Sequence, residues 1–224
     1  MIQDYGIKDL INTISTQSGI FGIFANPGFG TTTLLMQISA SIVDKTNDTV
    51  VVFSMELSKE QWYQRMLDKR LSTDGVEVID SIGLSGDDIE SAIKNFKNTR
   101  LVIIDYLQLL ENGVCQKLPR ISEKYSVPIL LCGKLGRNSG DFDENKTPEL
   151  ISVFYYQSPR CFLPLAQYDF LALLHRKHDC DRGIGFAHRY NISNTTELII
   201  KINKFGEVGR IFFEWDDKRK CFDI

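Results

Sequence analysis

Short continuous apolar runs alternate with stretches whose apolar positions recur every three or four residues over the first two-thirds of the chain. Ile7, Leu10, Ile11 and Ile14 have helical spacing, which predicts a short helix leading into a first strand over Ile20–Phe24. Leu34, Leu35, Met36 and Ile38 then predict a long helix over about Thr32–Asp44. Thr49–Phe53 is an unbroken apolar run, the pattern of a strand covered on both faces as in a parallel sheet. Ser58 followed by Gln61 reads as a capping box opening a helix, with Trp62, Met66 and Leu67 as its buried face. Val76–Ile79 predicts a short strand, and Ser85 caps a helix marked by Ile89, Ile93 and Phe96. Leu101–Asp105 is the clearest strand: four apolar residues end in a carboxylate. A helix near Lys117–Tyr125 and a strand near Val127–Cys132 continue the alternation.

The pattern breaks at Gly133–Ser158, where Gly, Asn, Asp, Lys and Pro predict a long loop, functional or disordered. Phe170–Leu174 predicts another strand, and the polar, glycine-containing His175–Tyr190 a second loop. Glu197–Ile202 and Arg210–Trp215 flank a polar turn and read as a β-hairpin. Strand–helix alternation followed by hairpin strands predicts an α/β fold. Its central sheet is mostly parallel and flanked by helices, with an antiparallel hairpin at the C-terminal end. The expected organisation is one domain over residues 1–224.

Chemistry concentrates where the first strand meets the first long helix. Gly22–Thr33 reads GIFANPGFGTTT. A glycine-bearing turn between strand and helix aims backbone N–H groups and a helix N-terminus at one point, which suits a phosphate. The usual phosphate loop is GxxxxGK followed by Ser or Thr. Here Thr31 stands in place of the lysine, and Thr32 follows as a potential Mg²⁺ ligand. An ordinary Gly/Pro-rich turn is the alternative. Asp105 ends its strand where ligands sit in open α/β sheets, placing it to hold a Mg²⁺-bound water; a carboxylate capping the next turn is the alternative there.

A formal net charge of −3 argues against a broad basic surface, though not against a local basic groove. The hydrophobic share of 43% and charged share of 25% are those of a soluble globular protein. Five scattered cysteines without a CxxC pair, and no secretory signal or membrane-length apolar run, predict a reduced, cytoplasmic protein that avoids membranes.

Taken in order, these segments resemble the C-terminal RecA-like motor domain of DnaB-type replicative DNA helicases. ANPGFGTTT stands at the family's phosphate loop. VVFSMELSKEQWYQRML looks like its second strand and helix, which places the family's catalytic glutamate at Glu56. LVIIDYLQLL resembles its Walker B strand, KYSVPILLCGKLGRN its sensor strand, and KINKFGEVGRIFFEWD the hairpin that reaches a neighbouring subunit's nucleotide. The resemblance implies a RecA-like P-loop NTPase fold with ATP and Mg²⁺ as ligands. Asn26, Pro27, Gly28, Phe29, Gly30, Thr31, Thr32, Thr33 and Lys134 would face the nucleotide. Thr32 and Asp105 would hold Mg²⁺, and Glu56, Asp105, Gln108, Lys201 and Lys204 would carry catalysis.

The departures matter as much. Thr31 replaces the loop lysine, Lys134 a γ-phosphate-sensing glutamine, and Lys204 the arginine finger, while Lys201 matches a nearby basic residue. The segment ELISVFYYQSPRCFLPLAQY lacks most of the charges expected of a DNA loop. The family's N-terminal helical domain and linker helix have no counterpart here, so the chain is expected to be mainly monomeric. Single-stranded DNA binding is expected to be weak, and a replication protein is the candidate protein partner. Two functions compete: an ATP-dependent helicase or translocase domain with impaired hydrolysis, and a degenerate RecA-like binding module docking on a replication protein. A recombinase- or clock-type RecA relative fits DYLQL less well.

Three further groups carry weaker readings. His175, His178, Cys180, Asp181 and His188 lie close in sequence, but their spacing matches no zinc pattern. Phe154, Tyr155 and Tyr156 suit base stacking or, better given the few cations nearby, an apolar cluster or protein contact. Lys218, Arg219 and Lys220 read as a solvated turn.

Overall fold

A computed structural model describes residues 7–135, 148–150, 153, 162–179 and 191–224. Helix α1 (Ile7–Thr16) leads into β1 (Ile20–Ala25), α2 (Thr31–Thr46), β2 (Thr49–Ser54), α3 (Lys59–Asp68), β3 (Val76–Ile79) and α4 (Gly86–Asn95). There follow β4 (Thr99–Asp105), α5 (Val114–Tyr125), β5 (Ile129–Lys134), β6 (Phe170–Asp179), β7 (Asn191–Asn203), β8 (Gly209–Asp216) and β9 (Cys221–Asp223). The nine strands among the described residues form one sheet in the order β3-β2-β4-β5-β1-β6-β7-β8-β9. Strands β3 to β6 across that order are parallel, and β7, β8 and β9 add antiparallel. The expected α/β fold with a mostly parallel sheet and an antiparallel C-terminal hairpin is the fold observed.

The unbroken apolar strands are explained by cover on both faces. Val50 and Val52 point into a core with Leu10, Ile14, Leu34, Ile38 and Trp62, whereas Val51 and Phe53 point into a second with Ile89, Ile93, Leu118 and Ile121. Successive strand residues face opposite sides, so a strand between two helical layers has no polar side to spare. No helix among the described residues is long and apolar enough to cross a membrane.

Both predicted helix starts are built as read. Ser58 accepts from Gln61 N at 3.3 Å while the Gln61 side chain accepts from Ser58 N at 3.1 Å, and Ser85 forms the matching box with Asp88. Ser58→Ala is expected to lower unfolding free energy by about 1 kcal/mol, measured by urea denaturation, because orphan N–H groups lose their acceptor.

Several expectations need correction. Leu67 is 57% exposed, because Trp62 and Met66, four residues apart, already define the buried stripe of α3. His175–Asp179 is not a loop but the second half of β6, held by β7, which itself starts at Asn191. Polar side chains hid this, since antiparallel pairing satisfies the backbone whatever the side chains are. Gly133 and Lys134 belong to β5 rather than to the long loop. Strand β9 was not foreseen. Cys132 and Cys221 are free and buried, but Cys115 is disulfide-bonded, against the expectation of wholly reduced thiols. Scatter along a sequence says nothing about separation in space. The turn at Lys218–Lys220 is exposed as read. Phe154, Tyr155, Tyr156, Cys180, Asp181, His188 and most of 136–161 lie outside the described residues.

Candidate nucleotide site

Parallel strands put their C-terminal ends on one edge, and four of them deliver the candidate residues there. Ala25 at the end of β1 pairs with Lys134 of β5 and with Leu174 of β6, and Ser54 of β2 pairs with Asp105 of β4. The phosphate-loop candidate springs from Ala25 as a tight turn in which Phe29 N donates to Asn26 O at 3.2 Å. Pro27 has no N–H to donate and fixes its own φ within that turn. Gly28 and Gly30 sit at φ +88° and +92°, where other residues are strained. A Cβ at Gly28 would meet nothing within 4 Å, so that side of the loop is open. A Cβ at Gly30 would lie 2.9 Å from the Phe222 ring and 3.6 Å from Trp215. The loop's other side is thus walled by the C-terminal strands. Gly30 supplies no side-chain cap to α2, which leaves the first-turn N–H groups to solvent or a ligand.

Strand β9 stays in place through Gln37 on α2. Its amide donates to Phe222 O at 2.7 Å and its carbonyl accepts from Phe222 N at 2.9 Å, a strand-like pair made by one side chain. Phe222 packs on Phe213 and Trp215. Phe29 is buried against the His175 ring, with centroids 6.1 Å apart. His175 is therefore part of the loop's packing. Among the described residues no cluster of three or more metal-ligating side chains occurs.

Thr31 is 6% exposed, and Thr32 and Thr33 are half-buried in the first turn of α2. Thr32 Oγ1 donates to Asp105 Oδ2 at 3.1 Å. Asp105 is 1% exposed, and Oδ1 has no N–H or O–H donor among the described residues. Burial pushes its carboxyl up to about 6, opposed by hydrogen bonds from the Cys132 thiol and Thr32; Glu56 raises it further and Lys134 lowers it. An acidic oxygen with spare acceptor capacity beside a threonine hydroxyl fits Mg²⁺, which takes hard oxygen ligands from one or two protein groups. Burial likewise pushes the Tyr106 phenol up, and its hydroxyl reaches Thr32.

Glu56 lies just beyond β2, where Met55 N donates to Asp105 O at 2.8 Å. Its carboxylate is ion-paired with Lys134, whose ammonium also sits 4.2 Å from the centroid of the Tyr106 ring. Gln108 holds the end of β5 by donating to Lys134 O at 2.9 Å, a bracing contact. Tyr106 and Cys132 were not foreseen as members of the site. DYLQ places Tyr106 next to the carboxylate, and only the β4–β5 register, Asp105 opposite Cys132, reveals the thiol.

Lys201 and Lys204 lie elsewhere. Lys204 Nζ pairs with Asp169 Oδ1 at 2.9 Å, and Asp169 Oδ2 accepts from Ile20 N at the start of β1. The six residues of β1 put roughly 17 Å between that point and the loop. Lys204 therefore cannot supply charge to the Gly28 loop of its own chain. Lys201 falls at the irregularity in the β6–β7 register, also toward the start of β6.

A mostly parallel sheet, a glycine turn entering a helix, and an acidic residue at the end of a strand one removed from β1 define a RecA-like fold. Residues 6–78 match the model of the DnaB-like helicase C terminal domain. The replicative DNA helicase DnaB of Mycoplasma pneumoniae is 23% identical over 90% of this chain and 52% of its own length. The replicative DNA helicase DnaC of Bacillus subtilis is 22% identical over 84% of this chain and 48% of its own. The chain thus spans about half the length of these relatives. Among solved structures, a DnaB-like replicative helicase described with its interactions with primase superimposes with a TM-score of 0.75 at 20% identity, covering 99% of this chain and 62% of that one. A second solved structure, of an ATPase domain, gives a TM-score of 0.74 at 19% identity, covering 92% of this chain and 84% of that one. The chain is thus similar to DnaB-type helicase C-terminal domains in sequence over part of its length and to helicase ATPase domains in fold.

Proposed function

We propose that this chain is the ATP-binding motor domain of a DnaB-like replicative helicase, acting in DNA replication with weakened hydrolysis. The observation that carries this reading is the Thr32–Asp105 hydrogen bond just after the Gly28 turn, with Glu56 just beyond the end of β2, the strand beside β4. Backbone N–H groups from Gly28 to Thr33 would hold the phosphates, and Thr32 and Asp105 would hold Mg²⁺. The metal, when bound, neutralises phosphate charge. Glu56 would orient the attacking water. Thr31 removes a charge-assisted contact of roughly 1.5–3 kcal/mol. Losing an arginine finger can cost on the order of 10³–10⁵ in rate, and lysine at 204 cannot reproduce the planar fork. A finger so far from its own loop supports a role toward a second copy, if copies associate.

The test is steady-state ATPase activity with and without single-stranded DNA. Slow, DNA-stimulated turnover supports the motor; no turnover and no ATP binding moves the lead to the binding module. That second reading draws on the cation-free loop and on the neutralised Glu56. Its partner class is a replication protein, in line with the likeness to a replicative helicase structure described with its interactions with primase. DNA binding is expected to be weak and salt-sensitive. An affinity clearly tighter than about 10⁻⁶ M at physiological salt, read by fluorescence anisotropy, would contradict this.

A further inference from the structure

Thr31 leaves the loop without a cation, yet a cation stands at its base. Lys134 ends β5 and pairs in register with Ala25, the residue from which the loop springs. Leu135 N donates to Ala25 O at 2.7 Å, and Gln108 grips the Lys134 carbonyl at 2.9 Å, so the backbone under this side chain is fixed to the loop's root. The ammonium lies on the Tyr106 ring and is ion-paired with Glu56. The pair is open to solvent: the Lys134 and Glu56 side chains are 37% and 40% exposed. Tyr106 in turn reaches Thr32, and Thr32 reaches Asp105. Lysine, glutamate, tyrosine, threonine and aspartate thus form one connected cluster around the mouth of the loop.

We propose that Lys134 is this chain's phosphate-facing cation, supplied by the neighbouring strand instead of by the loop, and that its ion pair with Glu56 is a latch opened by the terminal phosphate of a nucleoside triphosphate. This rests on the nucleotide-site reading above. A solvent-exposed ion pair is weak, so a polyanion carrying more charge than one carboxylate competes for the ammonium. While paired, Glu56 has its charge neutralised and one oxygen occupied, and is a poor acceptor for a proton from water. Once the ammonium turns to phosphate, the carboxylate is free to accept that hydrogen bond. One lysine would then both recognise the triphosphate and release the water-orienting group.

The test is calorimetric titration of the full chain with ATP and with ADP, each with Mg²⁺, for wild type, Lys134→Ala, Glu56→Gln and the double variant. Lys134→Gln is a second probe of the same position, and circular dichroism checks that each variant folds. Lys134→Ala is expected to weaken ATP about tenfold, the size of one charge-assisted contact, and ADP much less. Glu56→Gln is expected to tighten ATP, and to do so more in wild type than in the Lys134→Ala background, because only with lysine present is a latch removed. A larger gain without the lysine means that Lys134 merely screens Glu56, and overturns the inference. ATP binding untouched by both Lys134 variants also overturns it while leaving the nucleotide site standing. No ATP binding by wild type or by Thr31→Lys brings down the nucleotide site and the latch together.

Discussion

Thr31→Lys is expected to tighten ATP binding by roughly ten- to a hundredfold, the equivalent of about 1.5–3 kcal/mol from one charge-assisted contact. The turn that would receive the phosphates is intact: both positive-φ glycines are in place, and nothing crowds Gly28. Position 31 is the first residue of α2 and is nearly buried, so the new side chain must run its stem along the loop and carry only its ammonium out. A cation at a helix N-terminus costs about 0.3–1 kcal/mol in the free protein, so a small loss of stability should accompany the gain in affinity. Hydrolysis should recover much less than binding, because lysine still stands at position 204. Combining Thr31→Lys with Lys204→Arg should exceed either change only if copies associate, since Lys204 is remote from its own loop. The measurement is ATP titration by calorimetry with Mg²⁺ present. An unchanged affinity would mean that the turn no longer binds phosphate.

Asp105→Asn is expected to raise the unfolding free energy of the metal-free protein by about 2–3 kcal/mol at pH 7.5, and by little at pH 4. The carboxyl is buried, and its folded value of about 6 stands above the ordinary 3.8. The fold therefore favours the neutral form. The stability that Asp105 allows is fully present below about pH 4 and is lost as pH rises through about 6, where the folded state must bury a charge. Asparagine is the same shape and carries no charge, so it escapes this loss. Its amide keeps an oxygen for the Thr32 hydroxyl. Urea denaturation in EDTA at the two pH values reads the difference. A gain independent of pH would mean that burial of the charge is not the cause. Adding Mg²⁺ should stabilise wild type and leave Asp105→Asn unmoved.

The parallel half of the fold was legible because β1, β2, β4 and β5 are buried on two faces and so are written mainly as runs of apolar residues, whereas the edge strand β3 alternates. The site was legible for the same reason: a carboxylate or a glycine at the end of such a run marks the sheet edge where ligands sit. The antiparallel half was harder to read. His175 and Arg176 continue β6 although neither residue type suggests a strand, and the three residues of β9 are too few to show a period. Lys134 was recognised as a substitution but not as the partner of Glu56. Seventy-eight residues separate them in sequence, and only the β2-β4-β5 order brings their strands near. Gln37 gave no signal at all, being one polar residue on an otherwise buried helix face.

The Gln37–Phe222 clamp has a consequence for the timing of assembly. Its two residues are 185 positions apart, so the helix that follows the candidate loop leaves the ribosome well before the strand that walls it. Contacts of such separation form late, after the entropy of closing the intervening chain has been met. Until β9 docks, Gly30 has no Phe222 ring against it and α2 lacks the strand that Gln37 grips. A chain interrupted before β9 therefore lacks the wall that shapes the candidate loop, whatever that loop binds.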